Sequence, residues 1–441
     1  TWDAALIVMG GIIGAGIFVN PAVVAQRAQT TPLILSAWII GGAIAMLGGF
    51  VFAELAARRP EVGGLYAYMR DAFHPSVAFM YGWTALLISQ SGGMAIASIA
   101  FVLYFDPLAF LHLAPWISHS LSAVGILALF SVINCFGVRG GGTTQNALMV
   151  AKIVVFAALI GAGFFIAPPA VNAAEPALAA TGFGLIALLA TAMIPVLYAY
   201  DGWQTANVMS GELKDPARTL SRGLVVGVLA VIALYMIVVI IGLRVLGPIG
   251  LAASDAPLTE IMHRAGHVWE VIIKVGVGLS TLGFLSNQVL VSPRIYYAMA
   301  DDGVFFRTLA WLHPKSLAPV PAIVLQGLAA IVITLIGTIN RALLSGYESI
   351  LNAVTCIDFV FFVLAAVAVF VLRGQDRGKP EPAVRVPLHP WSTALFGVTC
   401  AIVVAYAVYE YPRDTVLNFA VLISGFLAYV IWRRFRATRT P

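Results

Sequence analysis

The chain has 441 residues, of which 61% are hydrophobic and only 10% charged, with a mean hydropathy of +0.95. Soluble globular domains carry about 25% charged residues, so a soluble core is excluded and the chain is expected to cross a membrane many times. The net charge of +5 is scattered among loops, which excludes a nucleic-acid-binding face, and no cleavable signal peptide is expected.

The first apolar stretch, about 4–25, is broken by Gly10-Gly11-Ile12-Ile13-Gly14-Ala15-Gly16. Each glycine costs a continuous helix about 1 kcal/mol relative to alanine. Four in seven residues suit a helix that unwinds in mid-membrane and offers free backbone groups to a bound solute. Bare backbone at that depth is tolerated only where it is buried in protein or lines a cavity, so the segment points to a transport site.

Apolar runs bounded by proline, glycine and charge give twelve spans, near 4–27, 33–57, 75–104, 121–138, 144–167, 182–209, 220–246, 268–299, 320–339, 347–372, 391–410 and 414–434. With the N-terminus inside, fourteen basic residues fall in cytoplasmic loops and four in the C-terminal tail, against Arg244, Arg264, Arg341 and Arg413 outside. The positive-inside rule therefore places both termini in the cytoplasm, as expected for a multi-pass protein of the plasma (inner) membrane. The sixth span carries a second interruption, Pro195-Val196-Leu197-Tyr198-Ala199-Tyr200-Asp201-Gly202-Trp203. Interrupted segments at matching places in two halves are the sequence pointer to a midplane binding site, ordinary glycine packing being the alternative. The expected organisation is an inverted repeat, about 1–168 and 181–372, followed by peripheral spans eleven and twelve with the tail at 373–441.

Five motifs in order carry a resemblance: Gly11-Ile12-Ile13-Gly14-Ala15-Gly16-Ile17-Phe18, Gly63-Gly64-Leu65-Tyr66-Ala67-Tyr68, Tyr198-Ala199-Tyr200-Asp201-Gly202-Trp203, Gly211-Glu212-Leu213-Lys214-Asp215-Pro216, and Ser292-Pro293-Arg294-Ile295-Tyr296-Tyr297-Ala298-Met299-Ala300-Asp301-Asp302-Gly303. With these the chain resembles the amino acid–polyamine–organocation superfamily, and within it the L-amino-acid transporter branch. The resemblance implies an all-α membrane protein with the leucine-transporter-type fold: twelve helices, a five-plus-five inverted repeat, and broken helices one and six. It implies a sodium-independent exchanger of amino acids, neutral L-amino acids first, working by alternating access. The alternative is a proton-coupled or exchange carrier of cationic amino acids or polyamines.

The chemistry of an amino-acid site fits these residues. A carboxylate needs donors, and the half-helix after the first break supplies the backbone of Gly14, Ala15 and Gly16 at a positive dipole end. An ammonium needs acceptors, which the preceding half-helices offer at Ile12, Tyr198 and Asp201. The resemblance places Ser or Thr at Ala15 in most relatives, so here the carboxylate relies on backbone alone. The side-chain pocket is expected beside Tyr198, Tyr200 and Trp203, with Tyr198 as an external gate and Trp203 as either an inner gate or a packing residue.

Lys152 stands in the fifth span with no acid nearby in that helix, and an ionisable group at membrane depth is a functional candidate by default. The resemblance implies that it reaches carbonyls of the broken first helix such as Gly11, where a sodium ion would otherwise sit; proton coupling and obligatory exchange both stay open for it. Asp201 and Asp358 are either substrate-tuning or structural acids, and a carboxylate at Asp358 would favour a cationic substrate or a proton. Asn287, Ser286 and Asn352 are further polar partners. Glu54, Glu212 and Asp215 lie among Arg58, Arg59, Lys214 and Arg218 and are expected to form the inner gate.

No convergent nucleophile, base or metal ligands point to an enzyme, and no cofactor or metal is expected. The seven histidines share no metal-ligand spacing. Cys135, Cys356 and Cys400 all lie in apolar runs, which argues against a disulfide framework and against a covalent partner subunit. The expected partners are the lipid bilayer and a small amino-acid substrate.

Overall fold

The structure, a computed structural model, describes residues 2–14, 16–61, 63–136, 141–166, 182–204, 216–339 and 342–437, and every regular element among them is helical. The first expected span forms as two pieces, α1 (Trp2–Ile12) and α2 (Gly16–Ala28), because the glycine cluster stops the helix where it was expected to. Then follow α3 (Thr31–Arg58), the short α4 (Leu65–Ala72), α5 (Pro75–Thr84) and α6 (Gln90–Tyr104). A π-turn at Ala85–Ser89 joins α5 to α6, and Gln90 N–H bonds back to the Ala85 carbonyl. The next helices are α7 (Pro115–Cys135), α8 (Gly141–Phe165) and α9 (Phe183–Tyr200).

The second half holds α10 (Pro216–Ala253), which changes direction at Gly247 (φ +71°) ahead of Pro248, then α11 (Pro257–Ala265) and α12 (His267–Val291). It ends with α13 (Pro293–Asp301), α14 (Val320–Thr338), α15 (Leu343–Gln375), α16 (Trp391–Glu410) and α17 (Pro412–Ala437).

Nine helices among the described residues are long and apolar enough to cross a membrane. Three of the expected spans are not among those nine. The first is split by its break, and the fifth and sixth are represented by the shorter apolar helices Ala151–Phe165 and Gly184–Tyr200.

The helices sort by what they touch. One group is α1, α2, α3, α9 and α10, in which α10 lies along both α3 and α1 while α2 lies along α9. In a second group α6, α7, α12 and α14 pack on one another, and α12 also holds α8. Helix α15 touches both groups, and α16 and α17 sit at the margin. Apolar side chains such as Leu129, Ile336, Val398 and Leu417 project from the outer faces, as a hydrocarbon solvent requires. Buried aromatic side chains, among them Trp38, Tyr200 and Tyr235, pack on one another inside the first group.

Candidate functional site

The two breaks lie against each other. At the first, Ile13 N–H reaches the Met9 carbonyl at 2.7 Å and Gly14 N–H turns back to the Ile12 carbonyl at 2.8 Å. The Ile12 carbonyl also accepts the Tyr235 hydroxyl from α10 at 3.1 Å. The Ile13 carbonyl accepts Nζ of Lys152, a side chain 2% exposed on α8, at 2.7 Å. The carbonyl that Lys152 reaches is therefore Ile13's rather than Gly11's, because the chain has already turned out of the helix at that point. Gly11 turns its own carbonyl against Gly202.

The second break follows from Asp201 and Gly202. Helix α9 stops when Asp201 adopts an extended backbone and its N–H returns to the Tyr198 carbonyl at 3.1 Å. Gly202 then takes φ +126°, a conformation other residues rarely adopt. Its N–H is received by the Asp201 carboxylate at 2.8 Å and the Gln204 amide oxygen at 3.2 Å. A methyl group at Gly202 would overlap the Gly11 carbonyl, so only glycine allows the two interrupted backbones to meet.

Between the breaks lies an enclosed cavity of about 40 Å³, room for about three waters. Its backbone walls are Ile12, Gly14, Gly16 and Gly202, and its apolar walls are Tyr198, Phe284 and Val354. The polar lining is Asp201, Asp358, Ser89 and three amides, Gln90, Gln204 and Gln288. Ser89 lies beside the Asp358 carboxylate and Gln204 beside Asp201. Among the described residues that line it there are two carboxylates and no lysine, arginine or histidine.

Of the residues singled out from sequence, the structure gathers Ile12, Gly14, Gly16, Tyr198, Asp201 and Asp358 around this cavity. Lys152 and Gly11 support its floor from behind. Three expected pocket residues stand elsewhere. Tyr200 points to the opposite face of α9, where its hydroxyl donates to the Trp38 carbonyl at 3.3 Å and its ring packs on Tyr235. Asn287 is half-buried and not part of the lining; its neighbour Gln288 takes that place. Trp203 is fully buried against Gly48 and the Phe362 ring, which makes it a packing residue of α3 and α15 in this conformation. Ala15 and Glu212 lie outside the described residues.

Sequence reading missed Ser89, Gln90, Gln204, Phe284 and Gln288. The π-turn before Gln90 carries one extra residue, and such turns favour functional sites because they re-aim the side chains that follow. Phe284 presses on Gly14 so closely that a methyl group there would come within 2.7 Å of its ring.

Each end of the bundle is closed by polar contacts. At the end that carries the basic loops, Glu54 is fully buried and accepts from Arg58 at 2.9 Å, Arg373 at 2.8 and 2.6 Å, and Val386 N–H at 2.7 Å. Asp376 joins Arg58 at 3.1 Å and Arg59 at 3.0 Å, and Arg59 also reaches Asp71 at 3.2 Å. The hydrogen bond from Arg59, working against burial, holds the Asp376 carboxyl well below the usual carboxylate range.

At the opposite end Arg27 of α2 donates to the Thr191 carbonyl at 3.1 Å and meets Glu348 and Asn352 at 3.4 Å each. Its guanidinium also lies 5.8 Å from the Tyr411 ring centre. Beyond it opens a vestibule of about 810 Å³ lined by Asp255, Glu348 and Asp414. Arg27 was legible as a charge inside an apolar span, and that was the signal to follow.

Among the described residues no group of three or more metal-ligating side chains forms. The family model described as amino acid permease matches residues 1–432. The chain is 31% identical over 399 residues to the serine/threonine exchanger SteT of Bacillus subtilis, which covers 89% of this chain and 86% of that protein. It is 26% identical over 428 residues to mouse b(0,+)-type amino acid transporter 1, covering 97% and 86%. It is 28% identical over 437 residues to human large neutral amino acids transporter small subunit 2, covering 96% and 78%.

The contact between the breaks is open to a direct test. Gly202→Ala should cost about 3 kcal/mol through its left-handed backbone and its collision with the Gly11 carbonyl. Gly49→Ala, where the nearest atom would lie 3.6 Å away, is the control and should be neutral or stabilising. A thermal midpoint for Gly202→Ala within a degree of the parent would rule the close approach out.

Proposed function

The chain belongs to the amino acid permease family, and from that premise we propose that it is a sodium-independent exchanger of small neutral L-amino acids in the plasma (inner) membrane. The proposed architecture has twelve spans, both termini cytoplasmic, and the five-plus-five inverted repeat with its two broken members at the site. Spans one, two, six and seven then rock against spans three to five and eight to ten, which agrees with the two groups into which the helices sort. The basic loops favour the cytoplasm for the end sealed by Glu54.

One observation carries the reading: Nζ of Lys152 rests on the Ile13 carbonyl at the first break. That carbonyl is the acceptor a coupling sodium ion would need, and a tethered side-chain donor already occupies it. In the proposed pose the substrate carboxylate meets the N-terminus of α2 at Gly14, Ala15 and Gly16. Its ammonium meets the Ile12 and Tyr198 carbonyls and the Asp201 carboxylate. The small enclosed volume and the Phe284 ring on Gly14 favour a short side chain. The name of the Bacillus subtilis relative, a serine/threonine exchanger, agrees in size class.

Tyr198 is proposed as the outer gate over the substrate, and Arg27 with Glu348 as the outer latch. Glu54 and Glu212 are proposed for the inner gate. Trp203 enters that gate only by moving with the inner half of span six. The carrier is proposed to work without a covalent partner, since Cys356 and Cys400 are buried and Cys135 is half-buried.

A second reading is favoured by the two carboxylates that face one cavity with no basic side chain in its described lining. They suit a cationic amino acid, a polyamine or a co-transported proton.

Uptake into proteoliposomes separates these readings. Expected is serine, threonine or alanine uptake that requires internal substrate and is unchanged when choline replaces sodium. Preference for lysine, arginine or putrescine would transfer the proposal to the second reading. Lys152→Ala should lower uptake at least about tenfold while folded yield falls less than twofold, because it removes the tethered donor from the proposed coupling position at the first break. Wild-type-like uptake would remove Lys152 from the mechanism. Asp358→Asn should keep at least about half of serine uptake on the neutral reading, and should abolish lysine uptake on the cationic one.

A further inference from the structure

The central cavity continues toward the basic-loop end. A second cavity of about 10 Å³, room for one water, is lined by Tyr81, Gln90, Gln204 and Ser292 together with apolar side chains. Gln90 and Gln204 line both cavities, so the two lie on either side of these amides. The Ser292 hydroxyl donates to the Gln90 amide oxygen at 2.6 Å, and the Gln288 amide nitrogen approaches the same oxygen at 3.4 Å. These side chains form a polar column beside the central cavity.

Two hydroxyls near the end of this column have no hydrogen-bond partner among the described residues, those of Tyr68 on α4 and Tyr296 on α13. Both side chains are fully buried. Tyr81 of the column lies within electrostatic range of both. Helix α4 is clamped over this region: Tyr66 donates to Asp302 at 2.8 Å, and Arg70 reaches Asp302 at 2.9 Å. A hydroxyl buried without a partner destabilises the state that buries it, and each such group in a native fold asks for a reason.

We propose that the cytoplasmic exit path runs along Gln90, Gln204, Tyr81 and Ser292, and that Tyr68 and Tyr296 are inner-gate residues whose hydroxyls are hydrated only when that path opens. The proposal rests on the transport reading above. It adds a route and two gating residues that act on the conformational step without touching the bound substrate. The closed state carries the burden of two unpartnered hydroxyls and the open state does not, which offsets part of what the ion pairs contribute to holding the inner gate shut.

Removing the hydroxyls tests this, because the sign of the effect is opposite to that of a structural role. In Tyr68→Phe, Tyr296→Phe and the double variant, the thermal midpoint should rise. Exchange turnover should fall several-fold with KM little changed, read on whichever of L-serine, L-threonine, L-leucine, L-lysine or putrescine the parent carries best. Ser292→Cys should be labelled by a membrane-impermeant methanethiosulfonate from the cytoplasmic face of inside-out vesicles, and about tenfold more slowly with both tyrosines replaced. Ile295→Cys serves if Ser292→Cys does not fold, and the parent with its three native cysteines is the blank. A lowered midpoint, unchanged turnover, or labelling from the external face alone would overturn the proposal. Labelling and stability that behave as expected, with no uptake of any panel member, would overturn the transport reading and leave the path standing. Intact uptake with labelling indifferent to the two tyrosines would overturn the path alone.

Discussion

Backbone that leaves a helix inside a membrane must find its hydrogen-bond partners within the protein, and that requirement positions most of the polar side chains in this core. The carbonyls of Ile12 and Ile13 are freed by the glycine break and are met by Tyr235 and Lys152. Gly202 N–H, freed by the second break, is met by Asp201 and Gln204. Pro195 has no N–H to give the carbonyl four residues back, and that carbonyl, Thr191's, receives Arg27. The Pro195 carbonyl in turn receives the Asn20 amide at 2.6 Å, whose oxygen is held by Tyr347 at 2.8 Å. The first break and the Pro195 interruption therefore recruit polar residues from other helices, while the Gly202 turn is closed by its own neighbours. The breaks and their partners form one structural unit.

The two ends of the bundle are closed unequally. At the basic-loop end Glu54 has no exposure and four close donors, and Asp376 draws on two arginines. Removing one partner of a buried ion pair costs about 3–5 kcal/mol, whereas an exposed pair is worth about 0–1 kcal/mol. Because the Asp376 carboxyl is held below the usual range, its contribution is complete at neutral pH. It is lost only as pH falls through that depressed value. At the opposite end the Arg27–Glu348 contact is longer, 3.4 Å, and Glu348 is 28% exposed beside an open vestibule. The conformation described is thus shut firmly on one side and lightly on the other.

How much of this was legible in the sequence depends on the physical scale of each feature. Both interruptions were readable because glycine clusters and a Pro…Asp-Gly run are local statements about backbone. The long spans were readable because hydrocarbon thickness fixes their length. Contacts between helices were not readable to the residue. Ser286, Asn287 and Gln288 are consecutive polar residues, and successive residues on a helix are rotated by about 100°, so composition does not decide which one faces the cavity. The π-turn before Gln90 shifts that rotation once more, and no residue in Ala85–Ser89 announces it. Tyr200 was different. Two residues beyond Tyr198 on one helix, it was bound to face away, and helical geometry alone argued for that.

Lys152 links the architecture to the energetics of the proposed cycle. A sodium ion bound at a broken helix can leave with the substrate, and its gradient then drives accumulation. A side chain fixed to α8 has no such route, and Nζ of Lys152 already satisfies the Ile13 carbonyl. On the proposed reading this contact ties no sodium gradient to the substrate. On the proposed reading, energy for net accumulation comes from a second solute moving the other way, or from a proton carried at Lys152 or at the acids on the far side of the cavity. Asp201 and Asp358 are the two carboxylates of that described lining, so the choice between exchange and coupled uptake turns on what they and Lys152 hold while the substrate crosses.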